Sequence, residues 1–245
     1  MTAEKQALMT ARLWQLTMDI KQFDGGTSPF ITLDACDGIR AEAVVLALDS
    51  AAIGDDSLWS ALIQSDEGFR TRLKEQGINN PDKRSSITWD DATILFIGCV
   101  ELSKEGKPMP IGDGILREKV GRFPWGDGSL LNYMHEFIRP NDQRGKSSAE
   151  GYEKIVTLIE TLSQRCGPSH VGHERYHNGQ AGLNIRGFLN SEQVRELRLA
   201  LSGRSWSVTA DEPIDGGMRD VSRNLIAVLR AAERRDVGVF LRSHA

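Results

Sequence analysis

Four stretches near the C-terminal end of the chain are the most informative about the fold: NSEQVRELRLALSG at residues 190–203, WSVT at 206–209, MRDVSRNLIAVLRAAER at 218–234 and VGVFLR at 237–242. The first and third stretches carry apolar residues at helical spacing. Asn190 and Gln193 form a capping box that starts the first of these helices. The second and fourth stretches are short runs of β-branched and aromatic residues, which predict strands. This order predicts a small α/β part.

Upstream of residue 190 the pattern predicts mainly helices. The first predicted helix covers Ala3–Phe23 and ends at Gly25 and Gly26. Ala92–Leu102 suits a buried helix or a buried strand, and we favour the helix, with Thr88 and Asp91 as its capping box. The other predictions are a strand at 29–33 and helices at 37–54, 55–64, 65–76, 129–139 and 152–166.

These elements predict an α+β protein with a predominantly helical body and a smaller C-terminal α/β part. All nine lysines lie at or before Lys154, whereas arginines continue to Arg242. The polar stretch NDQRGKSS at 141–148 has the composition of a linker. We therefore expect a mainly helical region at 1–145 and an α/β region at 146–245, with a single compact domain as the alternative.

Composition narrows the functional classes. The chain has 245 residues, of which 40% are hydrophobic and 26% charged, as in soluble globular proteins. A net charge of −4 and a pI near 5.8 make nucleic acid an unlikely partner. The three cysteines form no CxxC pair. No apolar run approaches the roughly 20 residues that span a bilayer, so we expect a cytoplasmic protein without a membrane partner.

One motif predicts catalysis. His173, Glu174 and His177 lie in HERYH, which resembles the H-E-x-x-H motif of zinc metallopeptidases. On a helix, the two histidines would bind zinc from one face, and the glutamate would act as general base on the bound water. The alternative is a polar loop in which Glu174 and Arg175 are solvated surface charges.

A zinc site needs a third ligand, and two residues are candidates. Glu196 follows His177 by eighteen intervening residues, a separation similar to that in the gluzincin metallopeptidases. His170 lies three residues before His173 and would share its face of a helix. Pro168 and Gly172 weaken any long helix in this segment.

Two further segments have competing interpretations. Phe123 and Trp125 lie in the turn-rich stretch GRFPWGDGS, where they are either exposed anchors for a partner protein or rings tucked beneath the loop as part of the core. Cys166 and His170 have the spacing of a nucleophile and its base, but Gly167 and Pro168 interrupt the helix that would bring them together.

Two functional hypotheses follow. The first is a non-catalytic cytoplasmic binding or regulatory protein that acts through contacts with another protein and needs no cofactor; inhibitor and immunity proteins are of this general kind. The second is a zinc-dependent hydrolase that uses the HERYH segment. We favour the first hypothesis because no catalytic set is complete in the sequence.

Overall fold

Backbone pairing places the last strand of the chain at the centre of the main sheet. The computed structural model describes residues 30–112, 121–126, 128–141, 146–167 and 175–244, with side chains from 149 onward in the helix at 146–164. Strand β5 (Gly238–His244) pairs antiparallel with β1 (Phe30–Cys36) on one side and with β3 (Asn184–Leu189) on the other. β1 and β3 therefore run in the same direction, and both begin where β5 ends.

The sheet separates two hydrophobic cores. Side chains alternate between its faces, so Val239 and Leu241 of β5 belong to one core and Phe240 to the other. Ile31 and Leu33 of β1 join the first core, and Phe188 of β3 joins the second. The sheet is thus the middle layer of three.

Helices cover both faces in chain order. One face carries α1 (Gly38–Ala52), α2 (Ser57–Ser65), α3 (Glu67–Glu75) and α4 (Asp91–Cys99). The other carries α5 (Leu130–Phe137), α6 (Lys146–Gln164), α7 (Ser191–Ser202) and α8 (Gly217–Arg234). A two-stranded antiparallel sheet of β2 (Ile138–Pro140) and β4 (Trp206–Val208) lies beside the second set. Short 3₁₀ turns occur at Arg84–Ser86 and Gln180–Gly182.

The α+β class with a predominantly helical body is confirmed. The capping box of Asn190 and Gln193 forms as expected. Residues 91–99 are a helix, as we favoured, but its N-cap is Asp90, which accepts a hydrogen bond from the Thr93 amide, so the Thr88 capping box is wrong. The sheet combines strands from both sides of residue 145, and the boundary there stays a prediction.

Gly187 sets the distance between β3 and α6. A Cβ at this position would lie 2.5 Å from the carbonyl oxygen of Thr161 and 2.6 Å from that of Leu162, closer than any real carbon contact. A glycine inside a strand commonly marks such a close approach between backbones. The missing side chain therefore lets α6 pack directly on β3.

Gly187→Ala tests this contact. The added methyl group must displace backbone atoms of α6, so we expect a loss of about 1–3 kcal/mol in the free energy of unfolding. Urea denaturation followed by circular dichroism measures it. Gly68→Ala in α3 is the control, because its methyl group would meet only the ends of the Arg40 and Asp66 side chains. Equal stability of both variants would show that the close approach is not needed.

Candidate functional site

A cavity of about 210 Å³ opens at the end of the sheet where β1 begins and β5 ends. It lies on the α5–α8 face, since Ile31 and Leu241 of the first core line it. Most of the remaining wall is polar: Ser129 and Asn132 at the start of α5, Ser163 of α6, Asn184 and Arg186 of β3, and Ser243 of β5. Small-ligand sites in proteins commonly combine such an apolar base with a few convergent polar groups.

Arg186 supplies the positive charge of the cavity. The pairing of β3 with β5 shifts between Ile185 and Gly187, so Arg186 is the extra residue of a β-bulge. Bulges redirect a side chain and are common beside functional sites. Arg186 is half-buried, and its guanidinium forms no ion pair or hydrogen bond with another described residue. Five donors of a permanently charged group are thus available to a ligand.

Ser163 offers a second unsatisfied group. Its residue is 8% exposed, and its hydroxyl has no hydrogen-bond partner in the described part of the chain. A buried polar group without a partner costs about 1–3 kcal/mol. A ligand that accepts a hydrogen bond from Ser163 would remove this cost.

The start of α5 adds to the positive potential. Ser129 is its N-cap and accepts a hydrogen bond from the Asn132 amide at 3.3 Å. The first amides of a helix lack partners within the helix and carry a partial positive charge, which favours anions nearby. None of the described residues lining the cavity is acidic. The arrangement can therefore hold a small anion.

Two stacked rings also line the cavity. The rings of Phe30 and His244 stack with centroids 4.3 Å apart, and the guanidinium of Arg122 lies 5.1 Å from the Phe30 centroid. His244 Nε2 lies 3.1 Å from the Thr32 hydroxyl oxygen. These contacts hold the two strand ends together beside the cavity.

A larger cavity of about 400 Å³ lies at the opposite end of the sheet, where α1 begins. Its charged groups are largely neutralised within the protein, since Arg40 binds Asp66 through two hydrogen bonds and Glu101 pairs with Arg235. Arg72 donates to the carbonyls of Gly98 and Val100. The smaller cavity is the better candidate because its cation, Arg186, has no ion-pair partner in the described part of the chain.

The predicted zinc motif is only partly described. His170, His173 and Glu174 lie outside the described residues, so their positions stay predictions. Arg175 to Asn178 form a turn and a bend, which differs from the helical turn that would present His173 and His177 on one face. No group of three metal-binding side chains occurs among the described residues. Zinc binding is therefore still a hypothesis.

Arg175 of this motif has a structural role instead of being a solvated charge. It donates to Asp91 through Nε at 2.7 Å and to Asp49 through Nη1 at 3.0 Å. It also donates to the Leu48 carbonyl at 2.6 Å. Arg84 binds the other oxygen of Asp91. This cluster fastens the HERYH segment to α1 and α4.

Glu196, the distant candidate ligand, belongs to a different layer. It lies on α7 and pairs with Lys154 of α6 at 3.1 Å. Tyr176, adjacent to His177, belongs to the core on the opposite face of the sheet. Between His177 and Glu196 the chain passes through β3 and moves from one face of the sheet to the other.

Phe123 and Trp125 pack against the first core. Phe123 is buried, with its ring centroid 4.6 Å from that of Tyr133, as in the second of the two interpretations. Trp125 is half-buried, meets Tyr133 and Phe137 edge-on, and donates its indole N–H to Glu136 at 3.1 Å. The loop therefore matches the interpretation of rings tucked onto the core, and a partner contact by these residues stays untested.

Burial governs the ionisation of two groups near these segments. Cys166 is buried, and desolvation raises the pKa of its thiol to about 12. The thiol is therefore protonated near neutral pH, unlike an activated nucleophile. Desolvation also raises the pKa of Tyr133, and its hydrogen bond to Glu212 adds to the shift.

Sequence reasoning missed the residues of the cavity. Asn132, Ser163, Asn184 and Arg186 come from three elements that are far apart in the chain, and none belongs to a motif. The signal that could have indicated them is the Arg-Gly pair within the apolar strand NIRGFL, because glycine inside a strand suggests a bulge or a close approach.

Comparison with known proteins adds no relative: protein-family models, curated proteins and solved structures gave no significant match to this chain. No helix among the described residues combines the length and apolar character needed to cross a membrane. The functional assignment therefore depends on the geometry of the chain itself.

The Arg175 cluster gives a prediction. Arg175→Ala leaves the partly buried Asp91 with one of its two cationic partners and removes the bond to Leu48, so we expect a loss of about 3 kcal/mol in the free energy of unfolding. Thermal melting measures it. Arg223→Ala, which removes an exposed pair with Asp220, should leave the melting temperature almost unchanged. An Arg175 variant as stable as this control would contradict a structural role for the cluster.

Proposed function

We propose that this protein binds a small oxyanion, a carboxylate or a phosphate, in the cavity at the β1 end of the sheet. One observation carries the proposal: Arg186 faces this cavity without an ion-pair partner among the described residues. Guanidinium groups bind oxyanions through paired charge-assisted hydrogen bonds. The ligand would also accept a hydrogen bond from Ser163 and lie close to the start of α5.

The comparison with other arginines supports this choice. Arg40, Arg84, Arg165, Arg175, Arg198, Arg235 and Arg242 each pair with a carboxylate of the protein. Among the described residues, the half-buried arginines thus pair with carboxylates except for Arg72, which donates to two backbone carbonyls, and Arg186. Arg186 has no such partner among the described residues, and no described residue of the cavity wall is acidic, so the wall is complementary to an anionic ligand.

This proposal gives the regulatory-protein hypothesis a ligand and leaves its other parts open. A protein that binds a small anion can change its contacts with a partner only if the ligand prefers one conformation over another. A protein partner and a cytoplasmic location stay predictions from the sequence.

The main test replaces Arg186. Arg186→Gln keeps the length and polarity of the side chain but removes its charge, so we expect oxyanion affinity to fall roughly 10- to 100-fold, as for the loss of a charge-assisted hydrogen bond. Isothermal titration with inorganic phosphate and, in a second series, with malonate measures the affinity and separates the two ligand classes. Arg223→Gln is the control because Arg223 is exposed and pairs with Asp220, and neither residue lines the cavity.

Two results would contradict the proposal: wild-type protein that binds neither phosphate nor malonate, or an Arg186→Gln variant that binds as tightly as the control. A lower affinity in both variants would indicate that general surface charge attracts the anion. In that case salt would weaken binding strongly in the wild type as well.

Ser163→Ala provides an independent prediction. Without ligand, the variant should be at least as stable as the wild type, because the substitution removes a buried hydroxyl that has no partner in the described residues. With ligand, it should bind more weakly and gain less stability, since ligand stabilisation depends on affinity. Thermal melting with and without phosphate measures both effects. A variant that is destabilised alone and stabilised normally by phosphate would exclude Ser163 from the site.

A further inference from the structure

Helix α1 and its C-cap residue, Ile53, expose an apolar stripe on their outer face. Ile39, Leu46 and Ile53 are 71%, 63% and 85% exposed and follow each other at intervals of seven residues. Ala43 and Ser50 lie between them on the same face, giving the 4-3-4-3 spacing with which one helix packs on another. We call Ile39, Ala43, Leu46, Ser50 and Ile53 the α1 stripe.

The charged residues beside the stripe are engaged with the protein body. Glu42 accepts hydrogen bonds from Arg165 and Asn190, and Asp49 accepts one from Arg175. These contacts draw both carboxylates away from the outer face of α1. The stripe therefore offers an uncharged surface to another helix.

A matching pattern lies in the segment before β1. Residues 1–29 are outside the described part, and the sequence predicts a helix over Ala3–Phe23. Within it, Met9, Leu13, Leu16, Ile20 and Phe23 have the same 4-3-4-3 spacing as the α1 stripe. Each lies 30 positions before one member of the stripe, so a parallel pairing brings all five positions into register.

The start of β1 and the end of the α1 stripe lie at the same end of the sheet. A single residue, Asp37, connects β1 to α1, and the first residue of α1, Gly38, touches Asn190 just after β3. Near the other end of α1, the Asp49 carboxylate accepts a hydrogen bond from the Tyr176 hydroxyl. The carbonyl of Tyr176 in turn accepts a hydrogen bond from the backbone N–H of Ile185, near the start of β3. Since β1 and β3 begin at the same end of the sheet, α1 ends on the side where Phe30 begins β1.

We propose that residues 9–23 pack in parallel on the α1 stripe, with Leu16 against Leu46 and Phe23 against Ile53. The six residues 24–29 that join this segment to Phe30 can span about 20 Å when extended, which suits a helix ending beside Ile53. A tethered segment has an effective concentration in the millimolar range, so it competes well against a second copy of the chain. The pairing covers the largest exposed apolar residues of α1.

Cross-linking in the full-length protein tests the pairing. Leu16→Cys combined with Leu46→Cys should give an intrachain cross-link with a short bis-maleimide, identified by mass spectrometry, at a rate independent of protein concentration. The native cysteines Cys36, Cys99 and Cys166 are buried. Leu16→Cys with Leu199→Cys is the matched control, because Leu199 is an exposed leucine on α7, on the opposite face of the sheet. We expect the 16–46 link to form at least tenfold faster than the control link.

Limited proteolysis gives a second readout with variants that keep the core intact. Leu46→Asp should increase the rate of tryptic cleavage at Arg12 and Lys21 at least tenfold, whereas Leu199→Asp should leave it unchanged. Equal cleavage rates in both variants would overturn the proposal. A 16–46 link found only between chains, and growing with concentration, would overturn it in favour of a second copy on the stripe. If the 16–46 link forms no faster than the 16–199 control link, residues 9–23 do not pack on the α1 stripe.

Discussion

The position of β5 between β1 and β3 is the constraint on which the rest of the structure depends. The sheet cannot form until the last seven described residues of the chain pair with a strand that begins at residue 30. Its alternating side chains then divide the apolar residues into two cores, one beneath α1–α4 and one beneath α5–α8. A buried ion pair strengthens this junction, since Arg242 of β5 donates to the fully buried Asp34 of β1 at 2.7 Å.

The cavity is a consequence of irregularity in the neighbouring strand. The bulge in β3 places one residue outside the regular alternation, and that residue is Arg186. The next residue, Gly187, allows α6 to approach β3 so closely that Ser163 joins the same wall. A regular strand with a larger residue at 187 would keep α6 farther away. The positive charge and the unsatisfied hydroxyl are therefore brought together by a single local feature of the backbone.

Local patterns predicted most helices because their boundaries are set by nearby residues. Asp37, Ser129 and Asn190 all cap helices near the positions that the sequence indicated. The strand order could not be predicted in the same way, because the pairing of β1 with β5 joins residues about two hundred positions apart and leaves no periodic signal. The residues that line the cavity were missed for the same reason. The HERYH motif predicted a zinc site, but its Arg175 binds Asp49 and Asp91. These contacts join residues that are far apart in the sequence, so only the tertiary structure reveals them.

Binding of an oxyanion by Arg186 can be observed directly by NMR of the arginine side-chain Nε–H signals during titration with phosphate and malonate. The Arg186 Nε–H signal is assigned as the one that disappears in the Arg186→Lys variant. We expect the Arg186 signal to move and to saturate with at least one of these ligands, while the signal of the exposed Arg223 stays in place. An Arg186 signal that remains unchanged while ligand binding is detected elsewhere in the protein would contradict oxyanion binding by Arg186.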